Sequence, residues 1–248
     1  MPADRSILLE KHAVVTGGSR GIGLGISRAL SACGARVSIV SRRPDGPQEF
    51  TVVAADVGDE VQIQNAFNEC RRANGSIDIL VNNAGITDSA PLVRTTKEMW
   101  DRIIATNLTG SFLATRAAAP DMLASHWGRI LNVASTAGLK GATYISAYCA
   151  SKHGIVGFTR AIAAEVAGRG ITANALCPGY VDTEMMQQAI DTIVRHTDAT
   201  PDAARNSLAE MNPEGRIATV AEVADAALEL ICGNRNGIAL VVPGLEES

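Results

Sequence analysis

The run Ala13-Val14-Val15-Thr16-Gly17-Gly18-Ser19-Arg20-Gly21-Ile22-Gly23 decides how this chain folds. A short apolar run, Ala13-Val14-Val15, ends in a glycine-rich turn. Ile22, Ile26, Ala29 and Leu30 then recur at helical spacing, and Gly34 stops the pattern. A second apolar run, Ala35 to Val40, follows at once. Strand, turn, helix and strand on this scale make a βαβ unit of dinucleotide-binding length. Glycines there let the backbone approach a pyrophosphate, which rests at the positive helix N-terminus. The spacing is Gly-x-x-x-Gly-x-Gly rather than the commoner Gly-x-Gly-x-x-Gly.

Working outward, Thr51 to Ala55 reads as a third strand ending at Asp56. The connection before it, Pro44 to Phe50, holds two prolines and a glycine. That leaves no room for a crossover helix and predicts a loop or single turn. Asp59 to Arg72 is a helix, and Ile77 to Val81 a strand running into Asn82-Asn83-Ala84-Gly85. Thr95-x-x-Glu98 predicts a capping box that opens a long helix through Met122, with Pro120 distorting its last turns. Strands follow at Arg129–Val133, Ile171–Leu176 and Ile238–Val242. Between them lie a helix carrying Tyr148 and Lys152 to about Ala167, two short helices in 184–212 broken at Thr200-Pro201, and a helix from Thr219 to Cys232. Near-continuous apolar strands alternating with helices specify an α/β fold. The expectation is one domain over 1–248, a doubly wound parallel sheet of about seven strands with helices on both faces.

Composition narrows the class. The 248 residues carry 46% hydrophobic side chains and a net charge of -4, which offers no general attraction to nucleic acid or anionic membrane. Cys33, Cys70, Cys149, Cys177 and Cys232 form no C-x-x-C pair and are odd in number, which predicts free thiols in a reducing compartment. The four histidines show no metal-ligand spacing, so no metal is expected. Met1 to Ser6 lacks the apolar core of a signal peptide, and no run reaches spanning length; cytoplasm is the default.

Tyr148 and Lys152 are four residues apart, so on a helix they share one face. A lysine held there favours the phenolate, lowers the tyrosine pKa and readies it for proton transfer. Taken with Thr16 to Gly23, Asp56-Val57, Asn82 to Gly85, Asn107, Ser135 thirteen positions before Tyr148, and Pro178-Gly179, the chain resembles the short-chain dehydrogenase/reductase superfamily over nearly its whole length. The resemblance implies a Rossmann-fold domain and a catalytic tetrad of Asn107, Ser135, Tyr148 and Lys152. In it Tyr148 is the general acid of reduction, Ser135 bonds the substrate oxygen, and Lys152 tunes the tyrosine and holds the nicotinamide ribose. Asn107 holds a relay water.

The same resemblance implies a nicotinamide cofactor bound by Gly17, Ser19, Arg20, Gly21, Ile22 and Gly23 of the turn. Further contacts come from Asp56 and Val57 at the adenine, and from Asn83, Ala84, Gly85, Pro178, Gly179, Val181 and Thr183. In NAD-binding relatives an acidic residue ends the second strand; here Ser41 stands there, followed by Arg42. Arg20 and Arg42 would clamp a 2′-phosphate, so NADP(H) is expected over NAD(H).

Two subgroups look most similar: 3-hydroxybutyrate dehydrogenases, and β-ketoacyl or polyketide ketoreductases. The first grips a carboxylate with a glutamine and a lysine at positions that are Thr87 and Ile145 here. The second docks a carrier protein on two basic positions, which are Arg169 and His126 here, so carrier-protein dependence is doubtful. Thr136, Leu139, Tyr144 and Tyr180, with Met185 and Met186 from a lid at 184–212, are expected around an apolar pocket for a small carbonyl or alcohol substrate. Alternatives are an NAD-linked secondary-alcohol or 3-hydroxyacid dehydrogenase and, outside enzymes, a cofactor-sensing regulatory module. Relatives are tetramers or dimers, which points to the helices at 96–122 and 148–167 as an interface. Val241-Val242-Pro243-Gly244-Leu245 stands where relatives show Asp-Gly-Gly, which puts the C-terminal oligomer contact in question.

Overall fold

A computed structural model describes residues 4–43 and 46–242 and the backbone of 245–247. The strands are β1 (His12–Thr16), β2 (Arg36–Ser41), β3 (Thr51–Ala54), β4 (Ile79–Asn82), β5 (Gly128–Val133), β6 (Ile171–Pro178), β7 (Ala239–Val242) and β8 (Leu245–Glu247). They form one sheet in the order β3-β2-β1-β4-β5-β6-β7-β8. β1 to β7 pair in parallel, and β8 adds an antiparallel edge that the sequence reading lacked. The helices are α1 (Gly21–Ala32), α2 (Glu60–Asn74), α3 (Lys97–Ile104), α4 (Gly110–Ser125), α5 (Ser146–Glu165), α6 (Glu184–His196), α7 (Pro201–Glu210) and α8 (Val220–Cys232). α1 and α8 bury Ile26, Leu30, Val223 and Leu228 on one face of the sheet. α2, α4 and α5 bury Ile63, Phe67, Ala114, Met122 and Ile162 on the other. Among the described residues no helix stands between β2 and β3, and Phe50 N–H turns back to the Pro47 carbonyl at 3.2 Å. Pro44 and Asp45, and Pro243 and Gly244 of the C-terminal departure, lie outside the described residues.

Three local expectations are corrected. Thr95 closes the short turn after Pro91, so the helix starts one residue later and Thr96 caps it by accepting from Met99 N–H at 3.2 Å. The long helix is two, α3 and α4, joined by a π-helical turn over Ala105–Thr109 that carries Asn107. α4 runs past Met122 to Ser125, with Pro120 inside it.

At the N-terminal end of the sheet, His12 is fully buried. Its Nδ1 meets the Gly75 carbonyl and its Nε2 the Ser38 hydroxyl, each at 2.8 Å. Burial holds its pKa below the usual value of 6.5, against the opposing pull of the Gly75 carbonyl. The unfolded chain therefore binds a proton that the folded chain refuses. This contribution to stability is complete above about pH 6.5 and declines as pH falls below it. Urea denaturation at pH 7.5 and 5.5 is expected to show a smaller loss in His12→Gln than in the parent. Equal losses in the two proteins would contradict the assignment.

Candidate active site

The strand order reverses between β1 and β4, and in sheets of this kind the ligand crevice lies at the C-terminal strand ends there. Thr16 closes its floor: its Oγ1 accepts the N–H groups of Asn83 and Ala84, each at 3.1 Å. Asn83 returns its side-chain amide to the carbonyls of Thr16 and Gly17, each at 3.0 Å. It therefore braces the glycine turn, and its amide group is not left over for a ligand. Gly17 has φ +63°, and a Cβ on it would come within 2.9 Å of the Ala84 Cα. Only a bare backbone fits so close to the opposite wall.

The helix starts repeat the same message. α2, α3, α7 and α8 are capped by Asp59, Thr96, Thr200 and Thr219. α1, α5 and α6 have no side-chain cap. The N-termini of α1 and α6 border one gap, since a Cβ on Gly21 would sit 3.6 Å from the Thr183 methyl. Thr183 turns its hydroxyl back to the Val181 carbonyl at 3.2 Å, leaving the first N–H groups of α6 without it. Two uncapped, positive helix ends facing a bare turn fit the pyrophosphate of a dinucleotide. Ser19, Ile22 and Gly23 lie in this turn and first helical turn, and Pro178, Gly179 and Val181 lie on the β6 side.

The outer rim departs from expectation at one arginine. Arg20 forms an ion pair with Glu184, the first residue of α6. Arg42 and Arg43 are exposed and make no ion pair among the described residues. Ser41 donates to the Arg43 carbonyl at 2.6 Å, so its hydroxyl is spent within its own turn. Asp56 accepts from Gly58 N–H at 2.9 Å through one oxygen, and Val57 is buried.

The four tetrad positions come from three elements, the π-helical turn, the end of β5 and α5. Ser135 follows β5, accepts from Ala137 N–H at 3.1 Å and hydrogen-bonds the Tyr148 phenol. Its short turn can press on α5 because residue 138 is glycine; a Cβ there would meet the Lys152 carbonyl oxygen at 2.7 Å. Lys152 is buried, donates to the Val133 carbonyl at 2.7 Å and places its ammonium 5.6 Å from the Tyr148 ring centre. Burial pushes the Tyr148 phenol up to about 12, with the Ser135 hydrogen bond opposing. Burial also pulls Lys152 down to about 8. The expected lowering of the tyrosine by the lysine is thus not what the chain's own groups produce. The ammonium lies over the ring and bonds elsewhere, so burial wins. At neutral pH the phenol is a proton donor and the lysine a cation.

Asn107 is buried, and its side chain is almost fully used. It accepts from Ile86 N–H at 2.9 Å and donates to the Ile86 carbonyl and to Ser151 Oγ, each at 3.0 Å. Its amide therefore clamps the loop after β4 to α5, and little of it remains to hold a water. Gly85 lies between Asn107 and Lys152: a Cβ on it would be 3.5 Å from the amide oxygen and 3.6 Å from the ammonium. Ser151, hidden in the motif beside Lys152, was not singled out from the sequence. Its hydroxyl donates to the Tyr148 carbonyl at 2.8 Å and accepts from Asn107, a partner 44 residues away that nothing local marks.

On the substrate side, Tyr180 is partly buried and Thr136 and Leu139 are half-buried. Tyr144 and Met185 are exposed. Met186 is buried with Ile190, Ala204 and Leu208, so it packs the core of the 184–212 segment rather than a pocket wall. A further residue emerges at the base of that segment. Buried Asn212 accepts from Tyr180 N–H at 2.7 Å and donates to the carbonyls of Tyr180 and Arg216 at 2.8 and 2.6 Å. It staples the end of α7 to the turn after β6. Asn212→Ala is expected to cost about 1–3 kcal/mol in urea denaturation by stranding these buried groups. A loss below 0.5 kcal/mol, on the order of an ordinary surface change, would contradict the staple.

Comparison with known proteins agrees with this geometry. The short chain dehydrogenase family model matches residues 11–193. The chain is 41% identical over 233 residues to the D-beta-hydroxybutyrate dehydrogenase of Cupriavidus necator, covering 89% of this chain and 90% of that protein. It is 35% identical over 240 residues to the 3-oxoacyl-[acyl-carrier-protein] reductase MabA of Mycobacterium avium, covering 96% and 90%. A crystal structure of a variant actinorhodin polyketide ketoreductase with NADPH superposes with a TM-score of 0.89 at 34% identity, covering 94% of this chain and 95% of that one. The chain therefore belongs to the short-chain dehydrogenase family and is a nicotinamide-dependent oxidoreductase of hydroxyl and keto groups.

Proposed function

We propose that this protein is a cytoplasmic, NADPH-dependent reductase that converts a ketone or β-ketoacyl carbonyl to a secondary alcohol. The observation that carries the reading is the rim after β2. It offers the exposed Arg42, and Ser41 in place of a carboxylate at the end of β2, where an adenosine ribose would lie. Arg20 joins it by exchanging Glu184 for a 2′-phosphate. The exchange is cheap, because an exposed ion pair is worth about 0–1 kcal/mol and a charge-assisted hydrogen bond about 1.5–3 kcal/mol.

The bound nicotinamide supplies the hydride. The chain supplies the proton and the geometry. Tyr148, protonated at neutral pH, donates its phenolic proton to the carbonyl oxygen as negative charge develops there. Ser135 offers a second hydrogen bond to that oxygen. Lys152 keeps a buried positive charge beside the phenol and within reach of the ribose. Asn107 holds the floor loop against α5, so that Gly85 and Lys152 keep their spacing.

The partners that fit are a small carbonyl substrate and further copies of this chain. A groove on the α4/α5 face, of about 280 Å³ and bordered by Phe112, Leu123 and Phe158, supports a homodimer or homotetramer. On α5, Ala163 is buried in the chain's own core, while Ala161 and Ala164 are exposed. His126 and Arg169 lie on adjoining exposed loops, where Gly128 N–H reaches the Gly170 carbonyl at 3.3 Å. One histidine and one arginine make a weak carrier-protein dock.

A second reading, a 3-hydroxyacid dehydrogenase, is favoured by the 41% identity to the Cupriavidus necator protein. A screen with NADPH and with NADH over β-ketoesters, acyl thioesters, aromatic ketones, cyclic ketones and acetoacetate separates the two. The proposal predicts turnover of uncharged ketones ahead of acetoacetate. Turnover of acetoacetate alone, with NADH, would establish the second reading instead.

A further inference from the structure

Arg20 and Glu184 form an ion pair across the gap between the starts of α1 and α6. Arg20 is the N-cap residue of α1, and Glu184 is the first residue of α6. Both side chains are mostly exposed, at 64% and 69%. The helix dipole favours an acidic residue in a first turn, so Glu184 needs no partner to explain its position. The direction it takes does need one. Among the described residues, the other side-chain hydrogen bonds that α6 donates stay within the helix. Gln187 bonds Asp191, Thr192 bonds Gln188, and Arg195 bonds Asp191 and Thr192. Glu184 instead reaches a residue 164 positions away.

The sheet order gives this pair a consequence. β2, with Arg42 just past its end, lies on one side of β1. β6, which leads into α6, lies on the other side, beyond β4 and β5. Arg20 stands in the turn after β1, between the two. A guanidinium drawn to Glu184 is therefore drawn away from Arg42 and from the 2′-position beside it. We infer that Glu184 is a cofactor-specificity residue that competes with the 2′-phosphate for Arg20. Its carboxylate is the counter-charge that holds Arg20 between turnovers and takes it back as NADP+ leaves. The inference rests on the NADPH reading and names a control on that same site. A cofactor without the 2′-phosphate has nothing to exchange for Glu184, so the carboxylate opposes NADPH and not NADH. The weakness of an exposed ion pair limits the effect to about fivefold.

The test uses the full chain without ketone, as parent, Glu184→Gln, Arg20→Ala and the double variant. Fluorescence titration gives Kd for NADPH and NADH, and a stopped-flow chase gives the rate of NADP+ release. Glu184→Gln is expected to tighten NADPH by about three- to fivefold and to leave NADH within about 1.5-fold. NADP+ release should slow by a similar factor, because affinity changes of this kind fall mostly on the off-rate. Arg20→Ala is expected to weaken NADPH by about tenfold or more. Adding Glu184→Gln to it should then move the NADPH Kd by less than about 1.5-fold, because the group competed for is gone. Three results would overturn the inference: an unchanged NADPH Kd in Glu184→Gln, equal tightening of NADPH and NADH, or the same tightening with Arg20 absent. Each leaves the cofactor reading standing if the parent binds NADPH more tightly than NADH. Equal binding of the two by the parent, with Arg20→Ala without effect, would remove that reading and this inference with it.

Discussion

Tyr148→Phe is expected to lower ketone turnover by about 10²–10⁴-fold, the range for losing a positioned general acid. The substitution removes one oxygen and keeps the ring. Lys152 stands 5.6 Å from the ring centre and bonds the Val133 carbonyl, so neither of its contacts needs the hydroxyl. Ser135 loses one partner and keeps Ala137 N–H. The fold and the glycine turn should be undisturbed, and NADPH affinity within about threefold of the parent, because the effect belongs to the transition state. Stopped-flow binding of NADPH, with single-turnover reduction of a ketone, separates the two quantities. Turnover within tenfold of the parent would refute the role of Tyr148. Weakened binding with unchanged single-turnover rate would move it from proton transfer to cofactor binding.

Arg42→Glu is expected to lower kcat/KM for NADPH by about 100-fold and to leave NADH within about threefold. A charge-assisted hydrogen bond contributes roughly 1.5–3 kcal/mol, and a carboxylate at the same place adds repulsion. Arg42 is exposed and forms no ion pair among the described residues, so the reversal should not disturb folding. Steady-state kinetics with both cofactors at a fixed ketone concentration read the result. Equal losses for NADPH and NADH would show that Arg42 does not face the 2′-position.

The fold was legible because its signals are local. Apolar runs such as Ala13 to Val15 and Arg129 to Val133 marked strands, and their near-continuous burial is what a doubly covered parallel sheet requires. The four expected tetrad positions could be named because a motif at fixed spacing needs no knowledge of tertiary contacts. What the sequence hid depends on pairs far apart along the chain. Arg20 and Glu184 are 164 residues apart, so no pattern near the glycine turn shows that the arginine is already engaged. The side chain of Asn107, in the π-helical turn, closes on Ile86 and Ser151, which are 21 and 44 residues away. Asn212 looked like an ordinary residue before a proline until three buried hydrogen bonds gave it a place. The Tyr148–Lys152 spacing was read correctly as one helix face. Its electrostatics were not, because burial depends on the elements packed over α5 and not on α5 itself.

The central claim is that this site reduces a ketone with NADPH. It is tested most directly by following nicotinamide absorbance and alcohol formation together, with ethyl acetoacetate or 2-tetralone, at limiting NADPH and at limiting NADH. The account predicts one alcohol formed per NADPH consumed, with kcat/KM for NADPH at least about tenfold above that for NADH, as one charge-assisted contact requires. A preference for NADH, or tight NADPH binding with no alcohol formed from any ketone, would contradict it.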